Sequence, residues 1–138
     1  MPVSSQKISQ AEKGAWRILE KTNPTLIIFA TGSEVSLALD VAKILEQKGE
    51  NPDVISVPCW ELFQQQNKEY QEEILNWSCK KRVSIEAGVT LGWERFVGAE
   101  GLCIGIDHFG ASAPAQDLER EFGFTTDAIV KKIEEKFY

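Results

Sequence analysis

An α/β fold, with a mostly parallel sheet covered by helices on both faces, is what this sequence predicts. Two features carry the prediction. Short apolar runs alternate with amphipathic stretches along the chain, and runs such as Leu26-Ile27-Ile28-Phe29-Ala30 have the continuous apolar, β-branched character of strands covered on both sides. A length of 138 residues with 43% hydrophobic content suits one globular domain.

Residues 1–12 are polar and unpatterned and read as a linker, so the domain is placed at residues 13–138. Ala15-Trp16-Arg17-Ile18-Leu19 is a short strand of mixed polarity that suits a sheet edge, closed by the turn-forming Asn23-Pro24. Leu26 to Ala30 forms the next strand, and Thr31-Gly32-Ser33 turns the chain into a helix from Glu34 to Lys48. Val35, Leu39, Ala42 and Leu45 fall on one stripe of that helix, Ser33 is its natural N-cap, and Gly49 stops it. The unit then repeats as strand Val54 to Val57 followed by a helix from Glu61 to Asn76. A third buried strand, Arg82 to Ile85, precedes a helical segment around Trp93 and Phe96, and a fourth runs from Leu102 to Ile106. Two closing helices are expected, one from Pro114 to about Phe122 and one from Asp127 to Phe137, capped by Thr126 with Ile129, Ile133 and Phe137 inward.

Composition excludes several function classes. A formal charge of −6 spread along the chain repels nucleic acid. Lys80-Lys81-Arg82 reads as charges that solubilise the end of a strand. Cys59, Cys79 and Cys103 are odd in number and widely spaced, with His108 as the one histidine, which fits neither a disulfide framework nor a zinc site. No run reaches the ~18 apolar residues that span a bilayer, and no apolar secretion signal opens the chain. Together these point to a reducing compartment, the cytoplasm.

If the core strands are parallel, the turns after them gather at one sheet edge, where open α/β folds bind ligands. Those turns carry Thr31, Gly32, Ser33, Cys59, Glu86, Asp107 and His108. Thr31-Gly32-Ser33 is the candidate anion or regulatory site, because a glycine turn feeding a helix N-terminus offers free amides, although every strand-to-helix unit needs such a turn. It carries neither the dinucleotide nor the phosphate-loop pattern. Glu86 follows an apolar strand directly, so its carboxylate needs a partner, either a basic side chain or helix amides. Trp60, Trp93 and Phe96 lie in connecting segments and are candidates for an interface with another chain or domain, against the alternative of packing on the sheet.

Five stretches taken in order resemble the C-terminal domain of transketolase: Ile28-Phe29-Ala30-Thr31-Gly32-Ser33-Glu34, Val57-Pro58-Cys59-Trp60-Glu61-Leu62-Phe63, Ser84-Ile85-Glu86-Ala87-Gly88, Gly92-Trp93-Glu94-Arg95-Phe96-Val97-Gly98, and Ile106 through Pro114. The last two are similar to the bacterial and plant-type enzymes. The resemblance implies a three-layer α/β/α domain with a five-stranded mixed sheet whose first strand is antiparallel to the rest. It also implies a parent homodimer that uses thiamine diphosphate and a divalent cation, Mg or Ca, to move a two-carbon ketol unit between sugar phosphates. In that family the cofactor and the sugar phosphates are held by the preceding domains. The Gly-Asp-Gly cofactor motif is absent from this sequence, so no catalytic, cofactor-binding or metal-binding residue carries over. The leading reading is therefore an accessory and assembly domain, inactive alone, whose partners are the other domains and the second subunit of the parent. Two other readings compete with it: a freestanding α/β module that binds a small anion or nucleotide, and a small enzyme built on Cys59, Glu86 and His108.

Overall fold

The computed structural model describes residues 13–31, 34–86, 92–105 and 125–138. Along them run β1 (Trp16–Leu19), β2 (Leu26–Ala30), α1 (Val35–Gln47), β3 (Pro52–Ser56), α2 (Trp60–Gln64), α3 (Lys68–Leu75), β4 (Lys81–Ile85), α4 (Glu94–Val97), β5 (Leu102–Ile104) and α5 (Thr126–Phe137). The strands form one five-stranded sheet in the order β1-β3-β2-β4-β5. β1 pairs antiparallel with β3, and every other pair is parallel. The short first strand is thus the edge that its mixed polarity predicts, antiparallel as the resemblance implies.

The period-two geometry of a strand divides β2 between two cores. Leu26, Ile28 and Ala30 meet Ala38, Val41, Ala42 and Leu45 of α1 and Ile129 and Ile133 of α5 on one face. Ile27 and Phe29 meet Phe63 of α2, Tyr70 and Ile74 of α3, and Phe96 of α4 on the other. Three layers result because the central strand is fully buried and needs cover on both sides.

Helix ends show how local chemistry sets the boundaries. α1 closes as expected at Gly49, whose φ of +96° suits a residue without Cβ. There the Gly49 amide donates to Glu46 O at 3.1 Å and the Glu50 amide to Leu45 O at 2.9 Å, the paired bonds of a Schellman motif. At its other end the N-cap position falls on Glu34, and the capping role expected of Ser33 lies outside the described residues. For α5 the cap is Thr125, one residue earlier than expected. Thr125 keeps an extended backbone while its Oγ1 accepts the Ala128 amide at 3.2 Å, so Thr126 is already helical. The helix expected from Pro114 to Phe122 lies outside the described residues.

The single helix expected from Glu61 to Asn76 is two, α2 and α3. Asn67 divides them: its backbone is extended and its Oδ1 accepts the Tyr70 amide at 2.8 Å, starting a new helix. That break lets Phe63 and Tyr70 both face the sheet, and the Tyr70 hydroxyl donates to Ala15 O at 2.7 Å. Strand ends also shift slightly, with β3 running from Pro52 to Ser56 and β5 ending at Ile104.

One expectation is overturned. Arg82, read as part of a solubilising run, is buried at 2% exposure. It occupies the strand position that alternation turns toward α3 and α4. Its Nε donates to Phe96 O at 2.8 Å, and its Nη1 donates to Asn76 O at 2.8 Å and Cys79 O at 3.1 Å. Nη2 donates to Leu75 O, and Trp77 stacks over the guanidinium at 4.1 Å. Burial pulls the group down to about 10, so it remains charged at neutral pH. Arg17 approaches the same helix end, its Nη2 donating to Glu73 O at 3.0 Å and its Nε lying 3.0 Å from the Asp53 carboxylate. Burial pushes the Asp53 carboxyl up, opposed by the Lys21 amide and Arg17.

Arg82→Met should therefore lower stability by about 3 kcal/mol, because it strands the buried carbonyls of Phe96 and Cys79. Arg82→Lys should rescue only part, since a single ammonium cannot serve acceptors spread around a planar fork. Urea denaturation measures both, and an unchanged midpoint for Arg82→Met would remove the guanidinium from the account.

Candidate functional site

The carboxyl ends of the parallel strands converge as the topology requires. Thr31 follows β2, Val57 to Cys59 follow β3, Trp60 and Glu61 open α2, and Glu86 follows β4; together they line a cleft of about 520 Å³. The ladder continues into its floor, with the Val57 amide donating to Ala30 O at 2.8 Å and the Glu86 amide to Ile104 O at 3.0 Å.

Of the expected site residues, Thr31, Cys59 and Glu86 are brought together here, whereas Gly32, Ser33, Asp107 and His108 lie outside the described residues. The Thr31 hydroxyl is engaged by donating to the Glu34 carboxylate, while the Glu34 amide donates back to Thr31 O at 3.0 Å. Among the described residues of the cleft lining, the charged side chains are those of Glu61 and Glu86. That lining is unfavourable to a phosphate, because carboxylates at a shared opening repel it.

The Glu86 carboxylate has the partner its position demands, but of a kind the sequence reading did not name: the indole N–H of Trp93 donates to it. Trp93 is 1% exposed and Phe96 2% exposed, so of the expected interface aromatics these two form core rather than surface. Trp60 stands edge-on to Trp93 with ring centroids 4.8 Å apart, at 5.6 Å from Phe96, and stays half-buried at the cleft. Gly92 makes this packing fit. Its φ is +93°, and a Cβ there would lie 2.5 Å from the Trp60 ring.

Among the described residues no three His, Cys, Asp or Glu side chains gather as metal ligands. Cys59 and Glu86 share the cleft, yet Glu86 is held by an indole, and the small-enzyme reading gains no third group from the described residues. No helix among them is long and apolar enough to cross a membrane. Fold and site thus define an open-sheet α/β domain of three layers, with a small cleft at its carboxyl edge whose described charged residues are acidic.

Comparison with known proteins narrows the class to a family. The model of the transketolase-like TK C-terminal domain matches residues 14–125. Transketolase of Geobacillus stearothermophilus is 45% identical over 123 residues, covering 88% of this chain and 18% of the relative. The chloroplastic transketolase of Solanum tuberosum is 44% identical over 131 residues, covering 93% of this chain and 18% of the relative. The structure of transketolase from Leishmania mexicana superposes with a TM-score of 0.82 at 38% identity, covering 93% of this chain and 18% of that one. The chain belongs to the transketolase C-terminal domain family, and it spans about 18% of the length of these relatives.

Trp93→Phe keeps an aromatic ring, though a smaller one, and removes the donor to Glu86. It should lower stability by about 1 kcal/mol, and Trp93→Phe combined with Glu86→Gln should cost less than the sum of the single changes. Chemical denaturation of the four proteins in that cycle checks the coupling; strict additivity would separate the two residues.

Proposed function

We propose that this chain is the C-terminal accessory and assembly domain of a transketolase whose other domains carry the chemistry. The parent moves a two-carbon ketol unit between sugar phosphates, as in the pentose phosphate pathway, using thiamine diphosphate and a divalent cation, Mg or Ca. It works as a homodimer. The observation that carries this reading is the match of residues 14–125 to the transketolase-like C-terminal domain, together with relatives that are themselves transketolases and of which the chain covers 18%. Residues 1–12 then serve as the linker from the preceding domain. The cytoplasm is the expected compartment, while relatives from Solanum tuberosum and Zea mays are chloroplastic.

The described residues of the cleft do not fit thiamine diphosphate. The sequence has no Gly-Asp-Gly motif, and the cleft presents Glu61 and Glu86 where a diphosphate would need cations. Orientation and electrostatics around the thiazolium are the protein's share of that chemistry, and they belong to other domains. The domain contributes architecture: a rigid three-layer block.

The chain alone should melt cooperatively and show no ketol transfer. Circular dichroism with heating, paired with a coupled assay on xylulose 5-phosphate and ribose 5-phosphate in the presence of thiamine diphosphate and magnesium, tests both halves. Turnover above a protein-free control would overturn the accessory reading.

Anion affinity at Thr31-Gly32-Ser33 should be weak, no tighter than about millimolar for inorganic phosphate, worth roughly 4 kcal/mol. Calorimetric binding in the micromolar range that Gly32→Val abolishes would favour a regulatory anion site instead.

A further inference from the structure

We propose that Tyr138 is a latch that closes α5 onto the amino edge of the sheet, and that α5 opens from this end when the latch is released. The helix is anchored unevenly. Its fully buried side chains, Ile129, Val130 and Ile133, lie within its first eight residues, whereas Phe137 near its end is only partly buried against the aliphatic core. Apolar anchorage therefore thins toward the last turn, where a helix frays unless something else holds it.

What holds it is a group drawn from three elements. Lys81, the first residue of β4, donates from Nζ to the Tyr138 hydroxyl at 2.6 Å and stands 4.0 Å from the centre of its ring. Glu50, in the connection from α1 to β3, lies 3.5 Å from the same ammonium, and the Tyr138 hydroxyl donates to its carboxylate. The phenol thus accepts from a cation and donates to an anion, which a hydroxyl can do and a methyl or a bare ring cannot. Glu50 is itself fixed in place: Thr25 Oγ1 donates to it at 2.8 Å, and the Asn51 amide donates to Thr25 Oγ1 at 2.9 Å. The catch is built where β2, β3 and β4 begin. Tyr138 is the moving part, joined to α5 through its amide, which donates to Glu134 O at 2.9 Å.

Burial decides which polar contact carries the hold. Lys48 and Glu134 also join the end of α1 to α5, but their side chains are 50% and 42% exposed, so water and salt screen the pair. The Lys81 and Glu50 side chains are 31% and 15% exposed, and the charges beneath Tyr138 are screened less. Burial pushes the Glu50 carboxyl up, yet hydrogen bonds from Tyr138 and Thr25 and the Lys81 charge outweigh it and hold the group below the ordinary carboxylate range. Tyr138 keeps 60% of its own surface in water, so the latch can lift without first unpacking the core.

Hydrogen–deuterium exchange on the 138-residue chain and its Tyr138→Phe variant, which keeps the ring over Lys81 and removes the hydroxyl, tests the latch. Amides of residues 134–138 should exchange about fivefold faster in the variant, with the effect fading toward Ile129 and absent from α3. Glu50→Gln should produce the same pattern, and adding Tyr138→Phe to it should bring less than about a further twofold, because the two groups act as one. Lys48→Met should change the same amides by less than about twofold. Unchanged exchange in Tyr138→Phe, an equal acceleration in α3, or a response to Lys48→Met as large as that to Tyr138→Phe would each overturn the latch, as would an α5 already unprotected in the unaltered chain.

Discussion

A helix that ends inside a protein leaves carbonyl groups in need of donors, and the end of α3 meets that need with two arginines reaching from the sheet. Arg82 on β4 and Arg17 on β1 together serve the carbonyls of Glu73, Leu75 and Asn76. Their positive charge also faces the negative end of the helix dipole, the favourable sense. Much else follows from where this clamp holds α3. Tyr70 reaches Ala15 from it, and the Arg82 Nε fixes α4 through Phe96 O. Once α4 is placed, Trp93 meets Glu86 and Trp60, and the cleft has its wall.

The two faces of the sheet are accordingly stabilised in different ways. Under α1 and α5 the contact is aliphatic, with Leu, Ile, Val and Ala side chains meeting across the layer. Beneath α2, α3 and α4 it is aromatic and polar, combining Phe29, Phe63, Phe96 and Trp93 with buried Arg17, Asp53 and Arg82. Buried charges lower the net gain from such a face but restrict it to one arrangement, because any other leaves them unpaired.

Much of this was legible in the sequence, where the signal is local. β2 and the stripe of α1 are continuous patterns, and parallel topology alone placed Thr31, Cys59 and Glu86 at one edge. The break at Asn67 was not legible, because Gln64 to Asn67 contains no glycine or proline and the apolar spacing carries on across it. Arg82 was misread through its neighbours: in a run of three basic residues it looks solvated, although alternation with Val83 sets it on the face opposite to that valine. The Trp93 donor to Glu86 depends on how α4 lies over the sheet, which no local pattern encodes.

The strand order β1-β3-β2-β4-β5 also has a temporal side. Among the described strands the first made, β1, is not hydrogen-bonded to the second; its seat is the edge of β3, which emerges from the ribosome only after α1. Synthesis therefore delivers β1 well before there is anything for it to pair with, and loop closure must precede its pairing. In a longer polypeptide that arrives through Gly14, the preceding part can complete its own folding while β1 is still a free tether. β1 itself is seated late, when β3 captures it and the Cys59 amide reaches the Gly14 carbonyl.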